Sequence, residues 1–171
     1  NSTQNFTDFS ENFSSTHWSG TASPYTLTNP TAGTWLTSRS NTNSLFWGFS
    51  SGTYLSSDRS LCYTATNKTA AAWQITPGIA LVAGRTYTLK FYYRGSSGFT
   101  NQVKLTVGNA QTIAAQTTTI WTNSTITSTT WTEATANYTP STSGIFYFAF
   151  NCFSAASQSS VYIDDFTITS T

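Results

Sequence analysis

The stretch RTYTLKFYYRG, residues 85–95, decides the fold. In an extended chain Tyr87, Leu89, Phe91 and Tyr93 share one side, while Thr88, Lys90, Tyr92 and Arg94 share the other. That period-2 alternation is the mark of a half-buried strand. Gly84 precedes it and Gly95-Ser96-Ser97-Gly98 follows, so turn residues bound it at both ends. QVKLTVGN, 102–109, repeats the pattern, with Val103, Leu105 and Val107 against Gln102, Lys104 and Thr106. The short glycine-containing connection predicts a hairpin: two adjacent strands of one sheet, apolar side to the core and polar, basic side outward.

Similar segments run along the rest of the chain. WTEATANYTP (131–140), GIFYFAFNCF (144–153) and VYIDDFTI (161–168) read as strands, as do the regions 25–28, 60–66 and 71–75. The Thr-rich stretch 109–130 carries Ile113, Ile120, Trp121 and Ile126, and reads as one or two further strands with irregular connections. No helical stripe of useful length appears. Turn signals at these intervals predict an all-β fold, a two-sheet antiparallel β-sandwich. With no internal repeat or composition break, residues 1–171 are expected to form one domain, long enough for a substantial core.

Charged residues are only 8% of the chain and the net charge is +1, which leaves no basic footprint for nucleic acid or for an anionic membrane. Aromatics at 16% and hydrophobics at 38% are too abundant for a disordered chain. Ser and Thr supply 60 residues, so the polar surface is hydroxyl and amide rather than charge. This is the character of an extracellular β protein, secreted or on a cell surface. No apolar run approaches the roughly 18 residues of a membrane span, so no membrane insertion is expected. There is no initiating Met and no signal-like apolar region, as in a mature or excised fragment. Cys62 and Cys152 permit one disulfide; the alternative is a pair of small buried hydrophobes. The glycosylation sequons at Asn1, Asn5, Asn12, Asn67, Asn123 and Asn137 arise readily by chance in so hydroxyl-rich a chain.

Catalytic groups are scarce. His17, the single histidine, sits beside Trp18 in a loop-like N-terminal stretch, and no serine has a nucleophile-elbow context. The two cysteines lie in apolar strand contexts, and one His with two distant Cys makes zinc improbable. The carboxylates are Asp8, Glu11, Asp58, Glu133, Asp164 and Asp165. Four lie near the chain ends, leaving only Asp58 and Glu133 for a glycosidase pair. A non-catalytic binding domain is the expectation. Asp164 and Asp165 pose a separate question. Strand neighbours point to opposite faces, so one is expected to turn inward, where it needs a hydrogen-bond network, a cation or a metal.

FTDFSENFSSTHW (6–18), AAWQITPGIALVAGRTYTLKFYYRG (71–95), SGIFYFAF (143–150) and VYIDDFTI (161–168) together resemble the cleaved-adhesin, or choice-of-anchor J, domains of Bacteroidetes surface proteins. More loosely, the same outline is similar to family 4 and 22 carbohydrate-binding modules and MAM domains. The resemblance implies a jelly-roll sandwich and a non-catalytic carbohydrate-binding or adhesion role within a larger parent chain. It also implies a structural Ca²⁺ held by Glu11 and Asp164, with Asp165 as the register alternative and Asp8 as a further ligand. Such an ion would pin the N-terminal segment to the last strand.

A glycan or polysaccharide partner calls for stacking rings beside hydrogen-bonding groups. If the two central strands form a hairpin, Lys90, Tyr92, Arg94, Gln102 and Lys104 lie on one sheet face, with Tyr147 and Asn151 on a parallel one. In NSLFWGFSSGTYL, 43–55, Trp47 and Tyr54 are the rings expected at the surface; Trp35 and Trp121 are weaker candidates. Trp18, Trp73 and Trp131 are assigned to the core. The competing expectation is a spacer or protein-binding adhesin without glycan affinity.

Overall fold

A computed structural model describes residues 8–21, 25–29 and 32–171. Its strands are β1 (Phe9–Glu11), β2 (Ser19–Thr21), β3 (Tyr25–Asn29), β4 (Gly33–Arg39), β5 (Gly48–Ser50), β6 (Ser60–Tyr63) and β7 (Ala72–Ile75). There follow β8 (Ile79–Leu81), β9 (Tyr87–Arg94), β10 (Asn101–Gly108), β11 (Thr118–Ile126), β12 (Thr132–Tyr138), β13 (Gly144–Cys152) and β14 (Val161–Ser170). The only helical element among the described residues is the single 3₁₀ turn Ser15–His17.

Two antiparallel sheets make a jelly-roll sandwich. The smaller runs β12-β9-β14-β6-β5, with β1 also on β14; the larger runs β11-β10-β13-β7-β4-β3-β2, with β8 on β13. The predicted strands are present within a few residues of their expected bounds. The predicted hairpin is not. β9 and β10 lie in opposite sheets, joined by residues 95–100 crossing between them.

The core explains the crossing. Leu89 and Phe91 from β9 and Val103, Leu105 and Val107 from β10 all belong to one buried cluster. Facing each other across the sandwich buries those apolar sides as fully as lying side by side, so alternation alone cannot separate the two arrangements. The connection is built for the turn: Gly95 donates its N–H to Ser128 O at 2.7 Å and packs where a Cβ would meet the Ile126 backbone oxygen at 3.1 Å. Both edges of β9 are then taken by β12 and β14, and both edges of β10 by β11 and β13. Phe91 ties the layers together, its ring centroid 4.9 Å from Trp121 and 5.1 Å from Phe150 on the larger sheet.

Other expectations are corrected here. Trp47 is not a surface ring: it is 3% exposed, and its indole N–H reaches Ala72 O at 3.2 Å and Phe150 O at 3.1 Å. Trp35 is fully buried and Trp121 packs half-buried against Phe91. Of the three assigned to the core, Trp18 packs against it, Trp73 is buried in a separate cluster with Ile75 and Ala149, and Trp131 belongs to neither cluster. Cys62 and Cys152 are free thiols on different sheets, β6 and β13; burial raises both to about 11 and keeps them protonated.

Candidate functional site

Because β9 and β10 belong to different sheets, the expected binding residues divide between two outer faces. Lys90, Tyr92 and Arg94 stand on the smaller sheet. Gln102 and Lys104, with Tyr147 and Asn151, stand on the larger one.

On the smaller sheet, β9 lies between β12 and β14, so its outward residues have neighbours on both sides. Tyr92 is opposite Glu133 on one side and Asp164 on the other. Its hydroxyl donates to Glu133 Oε2 at 2.8 Å, and that hydrogen bond holds the phenol pKa above its ordinary value. Lys90 Nζ lies 3.7 Å from the same oxygen, so Glu133 balances one of the two cations. Arg94 is opposite Tyr162, its guanidinium carbon 5.6 Å from that ring's centroid. Tyr92, Tyr162 and Arg94 are all half-buried. Tyr162 went unread in the sequence. Its place between inward-facing Val161 and Ile163 was the signal that it turns outward.

One wall of this face is the loop after β5. It carries Tyr54, 43% exposed, and Leu55 and Ser56 donate their N–H groups to Asp164 Oδ2 at 2.8 and 3.0 Å. Asp164 Oδ1 accepts the N–H of Asp165 at 2.8 Å, and Ser56 Oγ bonds Asp165 Oδ2 at 2.7 Å. The adjacent acids sit at an irregularity of the β9–β14 register, where Asp165 has φ of 50°. Asp164 is fully buried on the outer side of its strand, beneath the loop, and desolvation lifts its carboxyl to about 6. The expectation that one acid turns inward is corrected: the register shift leaves both against the loop, and Asp164 is partnered there by two loop amides.

The remaining acids go elsewhere. β1 pairs with β14, so the expected meeting of the chain ends is real. Glu11, however, is opposite inward-facing Phe166; its Oε1 accepts Phe13 N–H at 2.5 Å and its Oε2 accepts Asn29 Nδ2. Asp8 is exposed. Among the described residues no three Asp, Glu, His or Cys side chains converge as a metal site, so the four acids do not gather around one point. Asp58 accepts the Ser15 N–H at 2.8 Å and the Ser15 hydroxyl, which together lower its pKa. It lies in the loop that leads into β6, tied to Ser15, whereas Glu133 on β12 is tied to Tyr92 and Lys90, so the two acids sit in separate surroundings. The His17 side chain lies outside the described residues.

The larger sheet's outer face is partly filled by the chain itself. Residues 109–117 fold across it: Gln111 Nε2 donates to Thr34 O and Thr76 O at 2.8 and 3.0 Å, and Gln116 Nε2 donates to Tyr147 O at 3.0 Å. Ile113 packs on the Trp73, Ile75 and Ala149 cluster beneath. Beyond this loop Lys104 stands between Trp73 and Phe153, its Nζ 5.7 and 5.8 Å from their centroids.

A sandwich with rings and polar groups on its outer faces agrees with the family comparison. The profile of the carbohydrate binding domain family matches residues 9–157. The chain belongs to that family. It is a family of non-catalytic binding modules. Among solved structures, the K2 cleaved adhesin domain of Lys-gingipain from Porphyromonas gingivalis is similar at a TM-score of 0.68 and 19% identity, over 95% of this chain and 99% of that one. The CBM22-1 xylan-binding domain of Paenibacillus barcinonensis Xyn10C is similar at 0.58 and 11% identity, over 95% and 92%. TmCBM61, solved with β-1,4-galactotriose, is similar at 0.59 and 12%, over 80% and 88%. At these identities the likeness is one of fold. No curated protein sequence matches the chain. No described helix is long and apolar enough to cross a membrane.

Proposed function

We propose that this domain binds glycan on the outer face of the smaller sheet, as a module of a larger secreted or cell-surface protein. The carrying observation is the placement of Tyr92 and Tyr162, two half-buried rings on adjacent strands, beside Arg94 and Lys90. The rings offer apolar faces to sugar C–H groups, and the charged side chains offer hydrogen bonds to hydroxyls. Arg94 makes no salt bridge with a described carboxylate, which leaves the face able to take acidic as well as neutral sugars. Two similar folds support a saccharide ligand, one being a xylan-binding domain and the other solved with a galactotriose. A glycan array followed by titration tests the reading. Tyr92→Ala and Arg94→Ala are expected to weaken binding tenfold or more, whereas Lys104→Ala on the opposite sheet leaves it unchanged. No binding to any glycan would overturn it in favour of a spacer or protein adhesin.

Calcium enters this reading at Glu11, not at Asp164. Glu11 is buried on β1, and a carboxylate is a hard oxygen donor of the kind Ca²⁺ takes. Asn29 holds its present orientation, its Oδ1 accepting the Ala32 N–H at 3.2 Å while its Nδ2 donates to Glu11. Asp164 and Asp165 stay with the loop.

A further inference from the structure

One end of the sandwich carries a cleft unrelated to either outer face. Three connections meet there: residues 64–71 after β6, the 95–100 crossing, and the 153–160 loop between β13 and β14. Its volume is about 400 Å³, within the ~300–1,000 Å³ range of small-ligand sites. Thr66, Asn67, Phe99, Ser157, Gln158 and Ser159 line it. We propose that this cleft is a second saccharide site, taking a single neutral sugar unit stacked on Phe99.

The chemistry of the lining selects that ligand class. Phe99 is 41% exposed, so its ring is available as a stacking platform. Hydroxyls and two amides surround it, and the lining contains no charged side chain, which removes the means to favour an anionic sugar. A lone exposed ring would mean little. Here it stands beside a shallow, open depression whose walls are fixed to one another. Thr66 and Gln158 form an isolated bridge, and Ser157 donates its N–H to Thr66 O at 3.1 Å. Gln158 Oε1 accepts the Thr100 N–H at 2.8 Å and its Nε2 donates to Ala156 O at 3.5 Å, so the amide is held in one orientation. Ser96 Oγ donates to Ser160 O at 2.7 Å, and Phe99 N–H reaches Ser96 O at 3.3 Å. A preformed site of this kind loses little freedom when a sugar enters.

The site stands independently of the tyrosine face. The test is an NMR titration of ¹⁵N-labelled protein with β-1,4-galactotriose and, separately, with xylohexaose and a galacturonate trimer. At least one neutral saccharide is expected to move the amides of Thr66, Phe99, Thr100 and Gln158 in a saturable way, and the galacturonate trimer to leave them in place. Phe99→Ala, at an exposed position that leaves melting unchanged, is expected to weaken that response at least tenfold without altering shifts on β9 and β14. Shifts confined to β9 and β14 would support the sheet face and overturn the end site. So would an end response that survives Phe99→Ala, or one produced by the anionic trimer alone.

Discussion

Leu55 donates its backbone N–H to Asp164 Oδ2 at 2.8 Å, and this bond seats the loop that walls the tyrosine face. Ser56 adds a second N–H to the same oxygen. Hydrogen bonds to a charged acceptor contribute about 1.5–3 kcal/mol each, and amides left without a partner lose more than the bond. Asp164→Ala is therefore expected to destabilise the domain by about 2 kcal/mol and to speed hydrogen exchange at Leu55 and Ser56 specifically. Exchange that rises uniformly across all strands would show that the clasp is not local.

The same carboxyl gives stability a pH slope. An unfolded Asp titrates near 3.9, while Asp164 in the fold titrates at about 6 because burial disfavours its charge. The folded state thus holds the proton more tightly. Its contribution is fully present below about pH 4 and is lost as pH rises through 6. That difference corresponds to a ceiling of about 3 kcal/mol. Asp58 has the opposite sign: its depressed pKa adds stability above the unfolded value, lost only as pH falls below about 4. Urea midpoints measured from pH 4 to 7 are expected to fall as pH rises. Asp164→Asn keeps an oxygen for the loop amides and should flatten that slope.

The strands were legible from alternation and turn residues, because both act locally. Pairing was not. Nothing in Lys90, Tyr92 and Arg94 or in Gln102 and Lys104 says whether their strands lie side by side or face to face, since the buried halves satisfy the core either way. Of the two loop rings, Tyr54 is exposed as expected, but Trp47 was misread for a related reason: it lies in the same Gly/Ser-rich segment, yet two backbone carbonyls from distant strands fix its indole inside. The acid pair was expected to send one member inward; instead the register shift and the left-handed Asp165 leave both on the loop side. The amides 108 and 109 residues away that partner Asp164 leave no trace in local sequence.

Gly108 keeps the larger sheet's face covered. A Cβ there would lie 2.1 Å from the Ala115 backbone oxygen, so Gly108→Ala must push residues 109–117 off the sheet. Gln111 and Gln116 would lose their carbonyl partners, and Ile113 would lift from Ile75 and Ala149. The expected outcome is a cost of about 1–3 kcal/mol, with new apolar dye binding and no change in affinity at the tyrosine face. An unchanged melting temperature would show that the loop is held only weakly.

Calcium at Glu11 makes the final prediction. An ion that binds only the folded state stabilises by mass action, about 2.7 kcal/mol at a hundredfold excess over its dissociation constant. Adding a chelator should therefore lower the melting temperature by several degrees, and adding calcium back should restore it. Because Glu11 sits on β1 opposite Phe166, the loss should appear first as faster exchange where β1 meets β14. Glu11→Gln is expected to melt lower and to ignore the chelator, while Asp164→Asn should keep the full response. A wild-type melting temperature indifferent to the chelator, with no calcium found by elemental analysis, would leave Glu11 to its bonds with Phe13 and Asn29 and remove the ion from this fold.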